Sequence, residues 1–315
     1  MKILITGVHG FVGTNLVAYL APKNEIYGLD IIAPEKDGVV KTYSWADLDE
    51  GKVPEVGAII HLAGKAHDTK NQAAAEVYFK VNRDLTIKVF EYFSMHKNIK
   101  KFVFFSTAKA AADKVDGVLR EDVEPTPVGP YGESKIAAEE YILNVMNDRS
   151  YEFEDKGVYI FRPCMIHGPG NKGNLNLLYN MVRKGIPWPL GAFENRRTFT
   201  SVENICFAVN GVLTKDVPSG IYNMGDDDAL STNELIEEIC KSLGKNPHIW
   251  KLPKGLMNGV AKVGGWLHLP LNPERLRKLT ENYISSNEKI KKALGIEKMP
   301  VDAREGLKVT LESFK

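Results

Sequence analysis

Cysteine is scarce in this chain: 3 in 315 residues, at Cys164, Cys206 and Cys240. They lie too far apart for a disulfide framework or a Cys-x-x-Cys metal pattern, and such sparse use points to a reducing compartment. Charge of one sign is also lacking. The 41 Lys and Arg against 40 Asp and Glu leave a formal net charge of +1, which gives no sign of a nucleic-acid or acidic-membrane partner. The dispersed His and carboxylate residues show no metal-ligand spacing, so no metal is expected. No apolar run reaches the ~20 residues that a membrane span needs. The nearest, "GLMNGVAKVGGWLHLPL" (255–271), is broken by Asn258, Lys262 and His268 and reads as a buried or groove-lining helix. The opening "MKILITGVHGFVG" runs straight into a strand and a glycine turn, without the charged, apolar and cleavage regions of a signal peptide. A cytoplasmic protein with no nucleic-acid or membrane partner is the expectation. No internal repeat or low-complexity tract is found.

What is present is a large core and a regular alternation. With 43% hydrophobic residues the chain can bury a substantial interior. Apolar runs ("KILIT", "EIYGLD", "VGAIIHLAG", "KKFVFFST", "GVYIFRP") are separated by helix-length segments. Continuously apolar strands joined by crossover helices predict an α/β fold, a doubly wound parallel sheet of Rossmann type covered on both faces. After Pro163 the rhythm changes to Gly- and Pro-rich loops, resumes in "TSVENICFAVNGVL" and "GIYNMG", and ends in short helices. A first domain of residues 1–167 plus about 196–225, interleaved with a smaller C-terminal substrate lobe of 168–195 and 226–315, follows from that change.

"ILITGVHGFVG" places Gly7, Gly10 and Gly13 where the first strand meets the first helix, so that a pyrophosphate can approach the helix N-terminus. The spacing is G-x-x-G-x-x-G, not G-x-G-x-x-G. Asp30 ends the second strand roughly 20 residues on, where a carboxylate can accept hydrogen bonds from a ribose and repel a 2′-phosphate. NAD is therefore expected over NADP, although Lys36 nearby softens the exclusion. His9, inside the glycine turn, reads as a loop residue directed to solvent, and His61 as packing at the end of its strand.

"GPYGESKIAAEEY" puts Tyr131 four positions before Lys135, hence on one helix face. A phenol ionises near ~10, and a neighbouring ammonium together with an oxidised nicotinamide can lower that value until the group works as a base. Tyr-x-x-x-Lys alone is common on solvated helices. Its company is what gives it weight: "KKFVFFSTAKA" ends a strand with Ser106 and Thr107 at the carboxyl edge of the sheet, where ligands of such sheets bind. Thr107 can donate to the same substrate oxygen.

Taken together, "TGVHGFVG", Asp30, "WADLD", "HLAG", Asn82 in "KVNRDL", "FFSTA", "YGESK" and "RPCMIHGPG" resemble, in order over about residues 3 to 170, the extended short-chain dehydrogenase/reductase family of nucleotide-sugar epimerases and dehydratases. The resemblance implies Thr107, Tyr131 and Lys135 as catalytic residues, Thr107 replacing the more usual serine, with Ser106 as a minor alternative. It implies a cofactor site of Gly7, Gly10, Phe11, Val12, Gly13, Asp30, Asp47, Leu48, Leu62, Ala63, Gly64, Asn82, Ser106, Tyr131, Lys135 and Arg162.

For the substrate, "NKGNLNLLYNMVRKGIPWPLGAFENRRTFTSVENI" is similar to segments of sugar-nucleotide members that hold the nucleotide. This maps to Asn174 and Leu175, to Leu190 and Gly191, and to Arg197 as a diphosphate clamp, with Lys65 and Thr107 at the sugar. Arginine suits a diphosphate because its planar fork binds bidentately. Arg275 is implied as a second clamp, with Arg277 its rival. The narrower likeness is to bacterial enzymes acting at C4 of UDP-sugars for surface polysaccharide, either 4-epimerases or 4-ketoreductases; Lys109 belongs to that likeness without a catalytic role. A homodimer through helices 75–97 and 131–147 is a further implication. Two alternatives stand beside it: a reductase of a non-sugar ketone, which has no use for Arg197, and a non-catalytic dinucleotide-binding sensor. Cys164 reads as a buried small hydrophobe.

Overall fold

The computed structural model describes residues 1–66, 74–148, 153, 155–267 and 271–315. In chain order its strands are β1 (Lys2–Thr6), β2 (Glu25–Leu29), β3 (Val39–Tyr43), β4 (Ala58–His61), β5 (Lys101–Phe105), β6 (Val118–Leu119), β7 (Gly157–Pro163), β8 (Met165–His167), β9 (Arg197–Ser201), β10 (Gly220–Met224), β11 (Ala229–Leu230) and β12 (Ile284–Ser285). Seven form one parallel sheet in the order β10-β7-β5-β4-β1-β2-β3. The chain moves outward from β1 in both directions, so a crevice opens at the carboxyl ends of β1 and β4, where the winding reverses. β3, the edge strand, is half-exposed and carries no apolar run, and the sequence reading passes over it.

Alternation along each strand assigns two covered faces. Ile3 and Ile5 of β1 join Leu16, Ile205 and Val209 on one side, while Leu4 joins Ile59, Phe90, Phe93 and Phe102 on the other. Ile290, Leu294 and Met299, far along the chain, pack back onto the first of these cores. The strand stretch nearest the C-terminus, β12, also returns, pairing with β6.

The second lobe has a core of its own, including Leu175, Tyr179, Trp188, Leu190, Leu235, Ile239, Met257 and Leu307. The chain enters it after β8, returns through β9, which pairs with β8 beside the main sheet, to β10, and enters it again after β10. Helix Lys254–Trp266, read from sequence as buried or groove-lining, is buried on one face only: Met257, Ala261 and Gly264 are buried, but Leu256, Val260, Val263 and Trp266 lie in solvent. Residues 268–270 of that stretch lie outside the described residues. Among the described residues no helix is long and apolar enough to cross a membrane, and no group of His, Cys, Asp and Glu could hold a metal.

Candidate active site

β1 ends at Thr6, and Gly7 turns the chain with φ +68, its N–H donating to the carbonyl of Leu29. A Cβ on Gly7 would meet Ala63 N at 3.0 Å, and one on Gly13 would lie 2.6 Å from the Gly7 carbonyl oxygen. Glycine is thus required here by packing of the turn against the chain after β4. Helix Phe11–Leu20 starts at Gly10 without a side-chain cap and without an acidic residue in its first turn. Its leading N–H groups face the crevice mouth uncompensated, which fits a dinucleotide's diphosphate. Phe11 lies beside Gly170 of the loop after β8, and Val12 is packed against the sheet core.

Asp30 follows β2 and is half-buried; one carboxylate oxygen accepts from the Ile31 N–H at 2.7 Å and the other from the His9 N–H at 3.1 Å. His9 corrects the sequence reading. Its ring is not directed to solvent but bonds the Thr42 hydroxyl through Nε2 at 3.1 Å, tying the glycine turn to β3. Lys36 donates to Thr14 at 2.9 Å, on the first helix. Asp47 completes a capping box with Ser44, and these bonds hold its carboxyl below the usual range; Leu48 beside it is buried.

After β4 the chain runs through Leu62, Ala63, Gly64 and Lys65. Ala63 N donates to the Thr6 hydroxyl at 3.0 Å, and Asn82 locks the next residues: its Oδ1 accepts from Lys65 N at 2.7 Å while its Nδ2 donates to the Lys65 carbonyl at 3.1 Å and to Ser134 at 2.9 Å. Asn82 sits in a wide π-helical turn, Phe79–Asp84, and is fully buried. Its carboxamide therefore joins the loop after β4 to the helix that carries Tyr131. A Cβ on Gly64 would lie 3.0 Å from Asn82 Oδ1 and 3.1 Å from Lys135 Nζ, so a larger residue would have to push one of them aside. The Lys65 ammonium lies 5.5 Å from the Tyr78 ring centroid.

Tyr131 and Lys135 lie on helix Pro130–Asn147, which Gly129 (φ +84) and Pro130 set in direction. The Thr107 side chain stands near the Tyr131 phenol and favours its ionised form, and the phenol's ring meets Tyr78 edge-on with centroids 6.5 Å apart. Thr107 caps the short helix after β5. Burial raises the phenol's pKa, more than the nearby Thr107 side chain lowers it. Lys135 Nζ donates to the Phe105 carbonyl at 2.8 Å, and burial lowers its pKa to about 8, against an opposing effect of Glu139. The ammonium thus serves the end of β5, and the lowering of the phenol expected from the sequence needs an oxidised nicotinamide beside it as well as the lysine.

Glu139 escaped the sequence reading. It is one turn beyond Lys135, fully buried, and takes a forked pair of bonds from Arg162 at 3.0 Å and 2.6 Å. Ser106 donates to the same carboxylate, so its hydroxyl is turned beneath the site and away from Tyr131. Arg162, offered by sequence as a cofactor residue, is 2% exposed and paired under the sheet edge. The spacing Tyr-x-x-x-Lys-x-x-x-Glu was the available signal, since three residues four apart share one helix face. Cys164 is buried, with its thiol pushed up to about 12 by desolvation, which removes it as a nucleophile.

His61, at the end of β4, is fully buried. Thr86 gives its hydroxyl proton to the Asn82 carbonyl and so accepts from His61 Nε2 at 3.0 Å, leaving Nδ1 to accept from Thr6 at 2.7 Å. Burial, with the nearby Lys135 charge, lowers its pKa to about 3, in keeping with that neutral tautomer.

In the second lobe, Asn174 opens helix Asn174–Arg183 in an exposed position while Leu175 faces the lobe's core. Leu190 is buried, and a Cβ on Gly191 would strike Ile249 at 2.4 Å, because the segment around Trp250 lies directly against it. Arg197 opens β9. Its guanidinium donates to the carbonyls of Lys278 and Glu281, with the Glu281 carboxylate 4.0 Å away. Arg277 pairs with that same carboxylate at 2.6 Å and with Asp113 at 3.4 Å, and Asp113 also takes Lys109 at 3.2 Å. A chain of charges, Lys109, Asp113, Arg277, Glu281 and Arg197, thus runs from the segment after Thr107 into the second lobe. Arg275 is exposed on the same helix as Arg277.

Residues 3–225 match the model of the NAD dependent epimerase/dehydratase family. The chain is 29% identical over 268 residues to a UDP-glucose 4-epimerase of Vibrio cholerae, covering 80% of this chain and 78% of that protein. It is 28% identical over 298 residues to the N-acetyl-alpha-D-glucosaminyl-diphospho-ditrans,octacis-undecaprenol 4-epimerase of Escherichia coli O157:H7, covering 92% and 85% respectively. Among solved structures, UDP-glucuronic acid 4-epimerase from Bacillus cereus in complex with NAD superposes with a TM-score of 0.75 at 19% identity, over 100% of this chain and 98% of that one, which establishes the common fold.

Proposed function

Because the chain belongs to the NAD dependent epimerase/dehydratase family and is an NAD-using enzyme, we propose that it interconverts hydroxyl and keto groups at C4 of a hexose carried on a nucleoside diphosphate, UDP foremost. The observation that carries the reading is the placement of Thr107 beside the Tyr131 phenol, two hydroxyls from different elements at the carboxyl edge of the sheet, with Lys135 one turn away. NAD, when bound, supplies the acceptor and donor of hydride at C4 and places a positive ring beside the phenol. Tyr131 passes a proton between its Oη and the sugar's O4, giving it in the reducing direction and taking it in the oxidising one. Thr107 holds O4 in line through its hydroxyl. Lys135 supplies an ammonium close to the phenol and donors for the cofactor ribose, and Asp30 the ribose acceptor at the other end of the crevice.

Arg197, with Arg275 or Arg277 beside it, is proposed to hold the diphosphate, and Asn174, Leu175, Leu190 and Gly191 the nucleoside. Support comes from the placement of Arg197 and Arg277 on one acidic partner, Glu281, which a diphosphate can replace in charge and fork geometry. A second reading is a C4 reaction on a hexose joined to a polyprenyl diphosphate. The Escherichia coli relative's name and the solvent-facing apolar residues of helix Lys254–Trp266 favour it. A homodimer and a cytoplasmic setting complete the proposal.

Proton NMR of UDP-GlcNAc and of UDP-galactose, each incubated with as-purified protein and no added cofactor, tests it. A C4 epimer identifies an epimerase with retained NAD. No conversion by protein that binds NADH directs the assignment to net reduction of 4-keto sugars, and loss of UDP binding altogether would sink the nucleotide-sugar reading.

A further inference from the structure

Helix Lys254–Trp266 has two apolar faces at an angle to each other. Met257 and Ala261 are turned into the core of the second lobe. Leu256, Val260, Val263 and Leu267 recur three or four positions apart along a second stripe, and all are exposed. Trp266 borders this stripe and is 81% exposed. Lys262 stands one turn before Trp266 on the same flank, Lys254 opens the helix, and Lys251 precedes it, each exposed. The charge pattern is equally one-sided. From Ile239 to Pro273 the chain has five lysines and no aspartate or glutamate, within a protein whose formal net charge is +1.

An apolar stripe edged by tryptophan and flanked by lysines is the arrangement of a helix that lies in the boundary layer of a bilayer: the aliphatic groups enter the acyl region, the indole sits at headgroup level and the ammonium groups meet anionic lipid. At 13 residues the helix is too short to span, so the contact is peripheral. A second copy of the chain is the poorer occupant. A two-fold interface places the same patch against itself, which here would bring lysines to lysines with no carboxylate between them. We propose that helix Lys254–Trp266 docks the protein on an anionic bilayer surface, Val260 and Val263 inward. The proposal holds whichever carrier bears the sugar, and the helix contains none of the residues assigned to C4 chemistry.

The experiment is co-sedimentation of the full chain with vesicles of phosphatidylcholine mixed with phosphatidylglycerol, and with vesicles of phosphatidylcholine alone. Binding to the mixed vesicles, reduced by added salt and accompanied by a blue shift of tryptophan emission, is expected. A Val260→Glu/Val263→Glu variant should lose about tenfold or more in partitioning while keeping its thermal midpoint and the rise of that midpoint with NAD. A Trp266→Ala variant provides a milder second test should the double variant fold poorly, with a smaller loss expected. Wild-type protein that stays in solution with both vesicles overturns the proposal. So does a wild-type dimer that becomes monomeric in the double variant by light scattering, since a second copy would then cover the face. Neither result bears on UDP binding, which is measured separately.

Discussion

The side chain of Thr107 acts on the phenol of Tyr131 at the crevice edge, favouring its ionised form, one residue coming from the cap that follows β5 and the other from a long helix. Two hydroxyls in that relation can share one substrate oxygen. Tyr131→Phe keeps the ring and its edge contact with Tyr78 but removes the proton carrier. Turnover should fall by about 10²–10⁴, with the NAD-induced rise in thermal midpoint unchanged. Single-turnover measurement with a 4-keto or 4-hydroxy UDP-sugar checks it, and near-normal turnover would remove Tyr131 from the mechanism.

Arg197 is three-quarters buried and held by carbonyls, so it is already oriented before any anion arrives. Arg197→Ala should weaken UDP by about tenfold or more, read by calorimetry, while NAD binding is retained. Unchanged UDP affinity would favour a reductase of a non-sugar ketone.

Glu281 stands between Arg197 and Arg277 and competes with any diphosphate for both. Glu281→Gln removes the competing charge without removing volume. Since the three groups are part-exposed, the gain should be modest, about two- to fivefold tighter UDP, and strongest at low salt. A looser complex would mean that Glu281 orients the arginines rather than occupying them.

The Glu139–Arg162 pair is buried completely on the acidic side and almost so on the basic side. Glu139→Gln leaves the guanidinium without its counter-charge, and the expected loss is about 3–5 kcal/mol of stability, measured by urea unfolding. Lys135 also loses a stabilising charge, so its pKa should drop further below about 8.

His61 makes an acid limb in the stability profile. Its pKa is lowered in the fold to about 3 from an ordinary value of 6.5, so between those values the unfolded chain binds a proton that the native protein refuses. Stability is therefore full above about pH 6.5 and falls as pH is lowered toward 3, by a few kcal/mol over the whole window. His61→Asn, able to bond both threonines without titrating, should flatten the difference between thermal midpoints at pH 7 and pH 5. An unchanged difference would place the acid limb on other groups.

The main sheet was legible because β1, β4, β5 and β7 are buried on both faces and hence read as apolar runs. The same physics hid β3, whose edge position leaves its side chains half in water. Spacing brought Tyr131, Lys135 and Thr107 together, yet it could not show that the ammonium reaches back to Phe105, since that depends on the depth of the helix over β5. Likewise His9 looked like a loop side chain because Thr42, its partner, lies on the strand that periodicity passed over. The link from Lys109 to Arg197 joins residues far apart in the chain, where no pattern in the sequence applies.

The chain's departure into the second lobe after β8 and its return at β10 also set an order of events during synthesis. A growing chain emerging from the ribosome can pair β1 to β5 and β7 early, but the sheet's outer strand, β10, arrives only after the first part of the other lobe has emerged. Ile290 and Leu294, which cover one face of the sheet, come later still. Until then an edge strand and an apolar face stand open, the state most prone to aggregate. Truncation of the last segment should thus damage the sheet half, whose core Ile290 and Leu294 complete, as much as the second lobe.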